Sequence, residues 1–490
     1  MADRIVPVGP KTEQSVGIAV LGAGPAGLTA ADVLARTGSP GVVLEAEGSV
    51  GGIAKTVEFN GYRFDLGGHR FYTRLEPIRR LWLETLGEEF RLRRRLSRIY
   101  YRERFLNYPL RADDVFRKLG PWESMRCALS YVRSLLRFRG AEPKTFEEWI
   151  VSRFGRRIYD NFFRSYTEKV WGVPGSEIQA EWAAQRIQGF SLLQALLGIV
   201  RPSRGKPAPT VIDEFHYPRL GPGQMWEAFR SRVESHGVPV LLYQRCAAIR
   251  HRGGRVTSVL VESDGHLREQ AVDGVVSTLA LPDLIEAFEP APPQGVREAA
   301  SRLRFRNLCL VALMIEGENV FPDNWIYLHD PKTRAGRVQN FGAWSEGMVP
   351  SGKSCLGVEY FCFSDEDIWR MPDTEAVELA ASELAAIGLI DADQVIDGVK
   401  VRVPRAYPMY DPGYREAVAE IRGYLEHFSN LATCGRNGLH RYNNQDHSMA
   451  TAILATMNLI DGGSRDVWSV NTRGEYLEQE GELDDLELVG

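Results

Sequence analysis

The sequence lacks the features that mark metal-binding and disulfide-rich proteins. Its six cysteines form no CxxC pair and show no spacing typical of metal ligands. Such thiols are normally buried and reduced, so we predict no metal site and a cytoplasmic location. Long apolar runs are also missing, and residues 1–14 lack the apolar core of a secretory signal. We therefore expect no transmembrane segment, since a membrane-spanning helix needs about 20 apolar residues.

The sequence also lacks an excess of basic residues, because its formal net charge at pH 7 is −5. Without an overall positive field to collect phosphates, a nucleic-acid partner is not expected. The Leu-rich stretch 190–200 leaves a peripheral membrane contact open, although a helix packed in a core is the simpler interpretation. With 44% apolar residues among 490, the chain can form a large core in two or three domains.

What the sequence does contain is a glycine-rich turn between a short apolar strand and a helix. Residues 16–21 are apolar or β-branched, and residues 28–36 have helical spacing. The glycines of the GxGxxG pattern between them are Gly22, Gly24 and Gly27. In such turns the backbone approaches a pyrophosphate at the helix N-terminus. Glu45 ends the next apolar run, where an acid can bind ribose hydroxyls, so the pattern predicts a Rossmann-type dinucleotide-binding domain.

Further glycine pairs favour FAD over NAD. Gly51 and Gly52 follow the acid, where a second loop would lie against the diphosphate of an extended dinucleotide. Gly67 and Gly68 would bring main chain close to a flat ring. Near the C-terminus, Gly435 and Arg436 follow a strand, and Asn444 begins a helix whose N-terminus can point at the flavin. An ordinary capped surface helix is the alternative for this last segment.

The order of the predicted elements indicates an α/β fold with a discontinuous cofactor domain. The predicted parts of the FAD-binding domain are residues 1–107, 207–280 and 425–465. The other predicted units are an inserted helical domain (108–206), a mixed-sheet substrate domain (281–424) and an acidic tail (466–490).

Several of these motifs together resemble UDP-galactopyranose mutase and the related FAD-dependent oxidoreductases of the amine-oxidase and protoporphyrinogen-oxidase type. The motifs are the run Ser-Tyr-Thr-Glu-Lys-Val-Trp-Gly at 165–172, the loop 67–71, the segment 105–110 and the segment 435–444. The resemblance implies FAD and a reaction in which the reduced flavin N5 attacks the anomeric carbon of a nucleotide sugar. It also implies a small-molecule substrate and an electron donor, either NAD(P)H or a reductase.

The resemblance assigns roles to individual residues. Arg337 corresponds to a diphosphate-binding arginine, Tyr407 to a tyrosine that reaches the same diphosphate, and His69 to a contact at the flavin edge. The residues expected to contact the substrate are Trp171, Arg186, Asn340, Tyr410 and Tyr166. Without the resemblance, Tyr407 and Tyr410 are equally explained as packing residues, Arg337 as a surface ion-pair partner and His69 as a structural histidine.

The sequence departs from the mutase pattern at two places. Mutases carry a second diphosphate arginine where this chain has Phe190, so Arg186 or one of Arg201 and Arg204 must substitute, or the substrate lacks a diphosphate there. The amine-oxidase turn Gly-Gly-Arg reads Gly-Gly-Ile at 51–53. Charge beside the FAD phosphates must then come from Lys55, from Arg436 or from helix dipoles. His440 and His447 are interpreted as loop and cap residues.

Three functions fit these features. The first is a pyranose–furanose mutase, which needs cations for a diphosphate. The second is a net oxidoreductase of the amine-oxidase or desaturase type, which needs an apolar cavity where oxidised FAD takes a hydride. The third is a flavin-bearing scaffold without activity, which the intact FAD motifs at both ends disfavour. Arg337 and Trp171 favour the first of these.

Overall fold

The computed structural model describes residues 15–108, 118, 120–138, 142–180, 182, 214–318 and 320–471. Strands and helices alternate within it, which confirms the predicted α/β fold class. Its strands are β1 (Ile18–Leu21), β2 (Gly41–Leu44), β3 (Thr56–Phe59), β4 (Tyr62–Asp65), β5 (Phe90–Arg94), β6 (Ser97–Tyr101), β7 (Arg104–Asn107), β8 (Glu214–Pro218), β9 (Val240–Leu241), β10 (Arg245–Arg252), β11 (Arg255–Ser263), β12 (His266–Ala271), β13 (Gly274–Ser277), β14 (Phe288–Glu289), β15 (Phe305–Glu316), β16 (Trp325–Leu328), β17 (Arg337–Asn340), β18 (Lys353–Cys362), β19 (Val395–Pro408) and β20 (Leu431–Thr433).

The helices of the same residues are α1 (Pro25–Thr37), α2 (Glu76–Leu86), α3 (Pro121–Arg137), α4 (Phe146–Phe154), α5 (Arg156–Ile158), α6 (Arg164–Trp171), α7 (Gly223–Ser235), α8 (Leu281–Glu286), α9 (Gln294–Ser301), α10 (Phe341–Trp344), α11 (Asp367–Arg370), α12 (Asp373–Ala386), α13 (Tyr414–Leu425), α14 (Gly435–Gly438) and α15 (Gln445–Asp461). A π-helical turn, Tyr159–Phe163, joins α5 to α6.

A five-stranded parallel sheet carries the predicted cofactor turn. Its order is β20–β13–β1–β2–β9, so its strands come from the beginning, the middle and the end of the chain. Successive side chains of β1, such as Val20 and Leu21, enter two different hydrophobic cores, because helices cover both faces of the sheet. Helices α1, α7 and α15 cover one face, and α8, α9 and α13 cover the other. This arrangement confirms the discontinuous Rossmann-type sheet.

A seven-stranded mixed sheet forms the second large layer. Its order is β19–β15–β18–β17–β16–β6–β7, and neighbouring strands are antiparallel except for the parallel pair β16 and β6. Its central strands β15 and β18 are mostly apolar and are buried almost throughout. Strands β6 and β7 come from the range 1–107, whereas α8, α9 and all but the last residue of α13, from the range 281–424, pack on the five-stranded sheet. Each sheet layer therefore contains elements from a range predicted to belong to the other domain. The predicted domain limits stay a prediction.

Helices α3 to α6 and the π-helical turn lie in the described part of the segment predicted to be an inserted helical domain. Helix α4 begins with a capping box in which the side chains of Thr145 and Glu148 satisfy each other's backbone N–H groups. The apolar stretch 190–200, together with Arg186, Phe190, Arg201 and Arg204, lies outside the described residues, as does the acidic tail beyond residue 471. Within the described ranges, no helix combines the length and apolar content that crossing a membrane requires.

Candidate functional site

The turn between β1 and α1 has the geometry of a dinucleotide-binding loop. Gly24 is the N-cap of α1, and no side chain of the described chain caps this helix, so its first N–H groups can bind a phosphate. A Cβ on Gly27 would lie 1.8 Å from the carbonyl oxygen of Gly22. Only glycine therefore lets α1 pack this closely against the turn.

The second glycine pair lies directly against the first turn. The N–H of Gly51 donates to the carbonyl of Ala23 at 2.8 Å, and a Cβ on Gly52 would lie 3.3 Å from the Cα of Gly24. Two backbone segments without side chains thus face each other. We call Gly22, Gly24, Gly51 and Gly52 the glycine cradle. A cradle that any Cβ would narrow fits the diphosphate of the FAD predicted from the sequence.

Glu45 lies at the end of β2, beside the glycine cradle. Its carboxylate accepts hydrogen bonds from the N–H of Ala23 at 2.6 Å and from the N–H of Glu47 at 2.9 Å. The side chain is partly exposed, so the remaining acceptor capacity can reach ribose hydroxyls. Lys55 forms an ion pair with Glu47, which uses part of the charge expected to face the phosphates.

Arg436 has its guanidinium bound mainly to the main chain. It donates to the carbonyl of Ala406 at 2.8 and 3.0 Å and to the carbonyl of Asn443 at 2.9 Å. The same group lies 3.9 Å from the ring centroid of Tyr442 and 5.3 Å from that of Tyr407. Arg436 therefore fastens α14 to the end of β19, and this leaves fewer donors for a phosphate.

Asn444 is the N-cap of α15, as the sequence predicts. It forms a capping box with His447, whose ring nitrogen accepts the N–H of Asn444 at 3.4 Å, which confirms His447 as a cap residue. His440 lies in the preceding loop, where its Nε2 contacts the carbonyl oxygen of Met409 at 2.9 Å. Burial lowers the pKa of His440 to about 4. His447 thus caps the C-terminal helix, and His440 ties the preceding loop to Met409.

The loop with Gly67 and Gly68 lies against β17. A Cβ on Gly68 would lie 2.9 Å from the Nε2 of Gln339 and 3.5 Å from a guanidinium nitrogen of Arg337. Burial, then Arg436 and Arg337, lower the pKa of His69 to about 3. Its Nδ1 is buried without a hydrogen-bond partner among the described residues. A neutral imidazole with an unsatisfied nitrogen beside cations can bind a ligand atom, as expected at a flavin edge.

Arg337 is held in place by a buried carboxylate. It donates to one oxygen of Glu359 at 2.7 and 2.9 Å, while Gln339 donates to the other oxygen at 2.7 Å. Glu359 is fully buried, whereas 17% of the Arg337 side chain stays exposed. Burial alone would lower the pKa of Arg337, but Glu359, Tyr407 and Tyr166 raise it well above its usual value. The guanidinium is therefore a fixed charge with part of its surface open to a ligand.

Aromatic side chains surround this charge. Trp171 meets Tyr407 edge to face at 6.4 Å between ring centroids, and Tyr166 stacks on His329 at 4.5 Å. Burial raises the pKa of both tyrosines, so their hydroxyls remain hydrogen-bond donors at physiological pH. We call Arg337, Tyr166, Tyr407 and Trp171 the tyrosine–arginine cluster. The structure thus brings together four residues that the sequence assigned to the substrate cleft.

Two other expected substrate residues have structural roles instead. Asn340 is 3% exposed, caps α10 and donates its amide to the carbonyl of Phe321 at 2.6 Å. The hydroxyl of Tyr410 accepts the N–H of Tyr442 at 3.0 Å, and its ring stacks on Tyr414 at 4.7 Å. Because the protein itself uses these groups, the geometry does not support a substrate contact for Asn340 or Tyr410.

The sequence interpretation missed several residues on the same face as Arg337. Gln339 pairs with Trp325 across β17 and β16, and a strand presents residues i and i+2 on one face. Arg70 and Arg95 both lie over the ring of Trp325, 5.9 and 5.5 Å from its centroid. The alternation of side chains along β17 was the signal that could have identified Gln339 instead of Asn340.

Sequence comparison relates most of the chain to one family. Residues 25–422 match the family described as flavin containing amine oxidoreductase. A curated protein, a probable UDP-galactopyranose mutase from Klebsiella pneumoniae, is 38% identical over 58 residues. That match covers 11% of this chain and only 15% of the length of the relative.

Solved structures with a similar fold cover nearly the whole chain. A crystal structure of reduced UDP-galactopyranose mutase has a TM-score of 0.81 at 21% identity, over 94% of this chain and 97% of that chain. A putative protoporphyrinogen oxidase from Exiguobacterium sp. 255-15 has a TM-score of 0.66 at 16% identity, over 89% and 97% of the two chains. A CLA-producing fatty acid isomerase from P. acnes has a TM-score of 0.59 at 14% identity, over 90% of this chain and 98% of that chain. At these identities the similarities establish the fold.

Proposed function

Because the chain belongs to the family of flavin containing amine oxidoreductases and is an FAD-dependent enzyme, we propose that it acts on a nucleotide-activated sugar as a pyranose–furanose mutase. The observation that carries this proposal is the partly exposed guanidinium of Arg337, which buried Glu359 fixes. Because Nε and Nη2 of Arg337 donate to Glu359, the N–H groups of Nη1 and the second N–H of Nη2 remain to bind oxygens of a diphosphate. Bound FAD, when reduced, would supply N5 as the nucleophile at the anomeric carbon.

In this proposal the chain's own residues bind and orient the reactants. Arg337 and the protonated hydroxyl of Tyr407 hold the nucleotide diphosphate that leaves the sugar, and Trp171 and Tyr166 exclude water from the cleft. Neutral His69 accepts or donates a hydrogen bond at the flavin edge. The residues proposed to hold the cofactor are Gly22, Gly24, Gly27, Glu45, Gly51, Gly52, Lys55, Gly67, Gly68, Gly435, Arg436 and Asn444. NAD(P)H or a reductase would keep the flavin reduced.

Arg70 and Arg95 are candidates for the second cation that mutases have where this chain has Phe190. The guanidinium groups lie 5.9 and 5.5 Å from the ring centroid of Trp325, and register pairing puts Trp325 on the same face of the sheet as Arg337. Cations grouped around an aromatic ring can bind a phosphate and support a base by stacking. We therefore propose that the nucleotide extends from Arg337 toward Trp325.

A net oxidoreductase of the amine-oxidase type is the second candidate. The family itself favours it, as does the aromatic character of the tyrosine–arginine cluster, in which Phe361 also packs on Tyr407 at 5.4 Å. In this function a hydride would pass from an amine or apolar substrate to oxidised FAD.

Turnover of UDP-galactopyranose separates the two candidates. We expect dithionite-reduced protein to form the furanose, detected by chromatography, and oxidised protein to form none. Arg337→Lys keeps the charge beside Glu359 but loses the fork, so we expect kcat/KM to fall about 30-fold or more with FAD content unchanged. Conversion by neither form, together with oxygen consumption by oxidised protein and an amine or polyene, would favour the oxidoreductase and exclude the mutase.

A further inference from the structure

The outer face of α3 carries large apolar side chains that point to solvent. The residues are Trp122, Met125, Leu129, Val132, Leu135 and Leu136, each between 46 and 72% exposed. They are half of the twelve exposed large hydrophobic residues of the described chain, and the other six are spread over four separate segments. Scattered apolar residues are normal on a surface, but a stripe of six along one helix marks a contact surface.

The packing of α3 against the protein does not involve this stripe. The inner face of the helix buries Cys127, Tyr131 and Ser134. Its acidic residue, Glu123, pairs with Arg157 at 2.6 Å on the inner side. The inner face thus accounts for the attachment of α3, and the outer face is left for something outside the described chain.

A row of arginines follows one edge of the apolar stripe. Arg126, Arg133 and Arg137 are exposed and follow one another at spacings of seven and four residues, which places them on one side of the helix. Glu123 is the single acid of α3, and besides Arg157 it also lies 3.7 Å from Arg126. Arg133 and Arg137, in the second half of the helix, have no acid of α3 near them, so there the outer face combines apolar and positive groups. The whole chain is acidic, with a net charge of −5, so this row is a local exception.

We propose that the outer face of α3 docks on an anionic lipid surface, with the helix lying in the plane of the interface. Interfacial helices combine a Trp- and Leu-rich face with basic residues along its edge, where they meet lipid phosphates. A second copy of the chain, bound through the same face, would cover the apolar stripe but would offer the arginines no acid. This inference does not depend on the proposed enzymatic function.

Flotation of the full-length, FAD-containing protein with lipid vesicles tests this surface. We expect binding to vesicles of equal parts phosphatidylglycerol and phosphatidylcholine, weaker binding to phosphatidylcholine alone, and a loss as salt is raised. Leu129→Glu with Leu136→Glu should lower the partition coefficient about tenfold or more. At about 1 kcal/mol per basic residue, Arg133→Gln with Arg137→Gln should lower it about thirtyfold on the anionic vesicles only.

Leu267→Glu is the matched control, because Leu267 is 62% exposed and Leu129 is 63% exposed. We expect this control to bind vesicles like the wild type, with flavin absorbance showing that each variant is folded. The proposal would be overturned if the wild type did not bind anionic vesicles, or if both substituted proteins bound them as well as the wild type. A dimer that the leucine variant converts to a monomer, without lipid binding, would assign the face to a second copy instead.

Discussion

The glycine cradle and the tyrosine–arginine cluster are built by different means. The cradle comes from two short stretches near the N-terminus, and backbone atoms form its surface, with Gly24 facing Gly52. The cluster takes Trp171 from α6, Arg337 from β17 and Tyr407 from β19, and side chains form its surface. The cradle thus depends on local backbone geometry, whereas the cluster depends on the register of distant strands. Substitutions in the two regions should therefore fail in different ways.

The largest effect is expected where Gly27 of α1 packs against Gly22 of the cradle. Gly27→Ala puts a Cβ 1.8 Å from the carbonyl oxygen of Gly22, and this backbone atom cannot move away without opening the turn. We expect a loss of about 4 kcal/mol or more in the free energy of unfolding, and no retained flavin. The ratio of flavin to protein absorbance and thermal unfolding measure both effects.

Gly423→Ala is the control for this substitution, because a Cβ on Gly423 of α13 meets nothing within 4 Å. It should be neutral or stabilise the protein by up to about 1 kcal/mol. Normal flavin content in Gly27→Ala would show that the cradle is not defined by backbone packing.

A smaller but still large effect is expected from the buried carboxylate of the cluster. Glu359→Gln leaves the guanidinium of Arg337 without its counter-charge, and we expect a loss of about 3 kcal/mol in the free energy of unfolding. Flavin content should stay normal at moderate temperature, since the cradle is untouched. Glu76→Gln is the control, because Glu76 pairs with Arg79 on the surface and should change stability by about 0.5 kcal/mol at most.

An intermediate effect is expected at Asp65, the last residue of β4, which binds Thr56 and Tyr217. Burial raises the pKa of Asp65 to about 7, although hydrogen bonds from Tyr217 and Thr56 oppose this shift. The folded state then holds the Asp65 proton more tightly than the unfolded chain does. The contribution of this proton to the free energy of unfolding is therefore fully present at low pH and falls as pH rises toward 7. We expect the free energy of unfolding of the wild type to fall by about 2 kcal/mol between about pH 5 and pH 8 because of Asp65, and Asp65→Asn should abolish this fall. Chemical denaturation across this pH range gives the slope of the free energy of unfolding against pH for the wild type and for Asp65→Asn. Equal slopes would contradict an elevated pKa of Asp65.

The smallest effects distinguish two adjacent residues of β17. Asn340→Ala removes a helix cap and should cost about 1 kcal/mol of stability without changing ligand affinity. Gln339 is fully buried and donates to Glu359, which fixes Arg337. Gln339→Ala should therefore weaken nucleoside diphosphate binding about fivefold by misplacing the guanidinium of Arg337. Calorimetric titration of UDP into both variants measures this difference. Weaker UDP binding in Asn340→Ala, with unchanged binding in Gln339→Ala, would instead support a substrate contact for Asn340.

The same contrast explains what the sequence could predict. The glycine turn was predictable because its strand, glycines, helix and Glu45 follow one another within one stretch. The run 165–172 predicted Trp171 but not the role of Lys169, whose ammonium group donates to the carbonyls of Leu328 and Asp330 at 2.9 and 2.6 Å. These contacts tie α6 to the end of β16, and only the folded chain shows them.

For the tyrosine–arginine cluster, the sequence could predict which residues take part but not which side chains bind them. The resemblance identified Arg337, but the buried carboxylate of Glu359 belongs to a mostly apolar strand, and no local pattern connects the two. The resemblance also implies substrate contacts for Asn340 and Tyr410, which lie close in sequence to Arg337 and Tyr407. Their amide and hydroxyl groups satisfy the protein's own backbone, which depends on loops that the sequence does not specify.

A titration of UDP into the FAD-containing protein, followed by flavin absorbance and fluorescence, tests most directly whether the cradle and the cluster face one ligand cleft. We predict a saturable change in the wild type, weakened about 30-fold or more in Arg337→Lys and preserved in Asn340→Ala. A protein that takes up no flavin, or a flavin spectrum that UDP does not alter, would contradict the account.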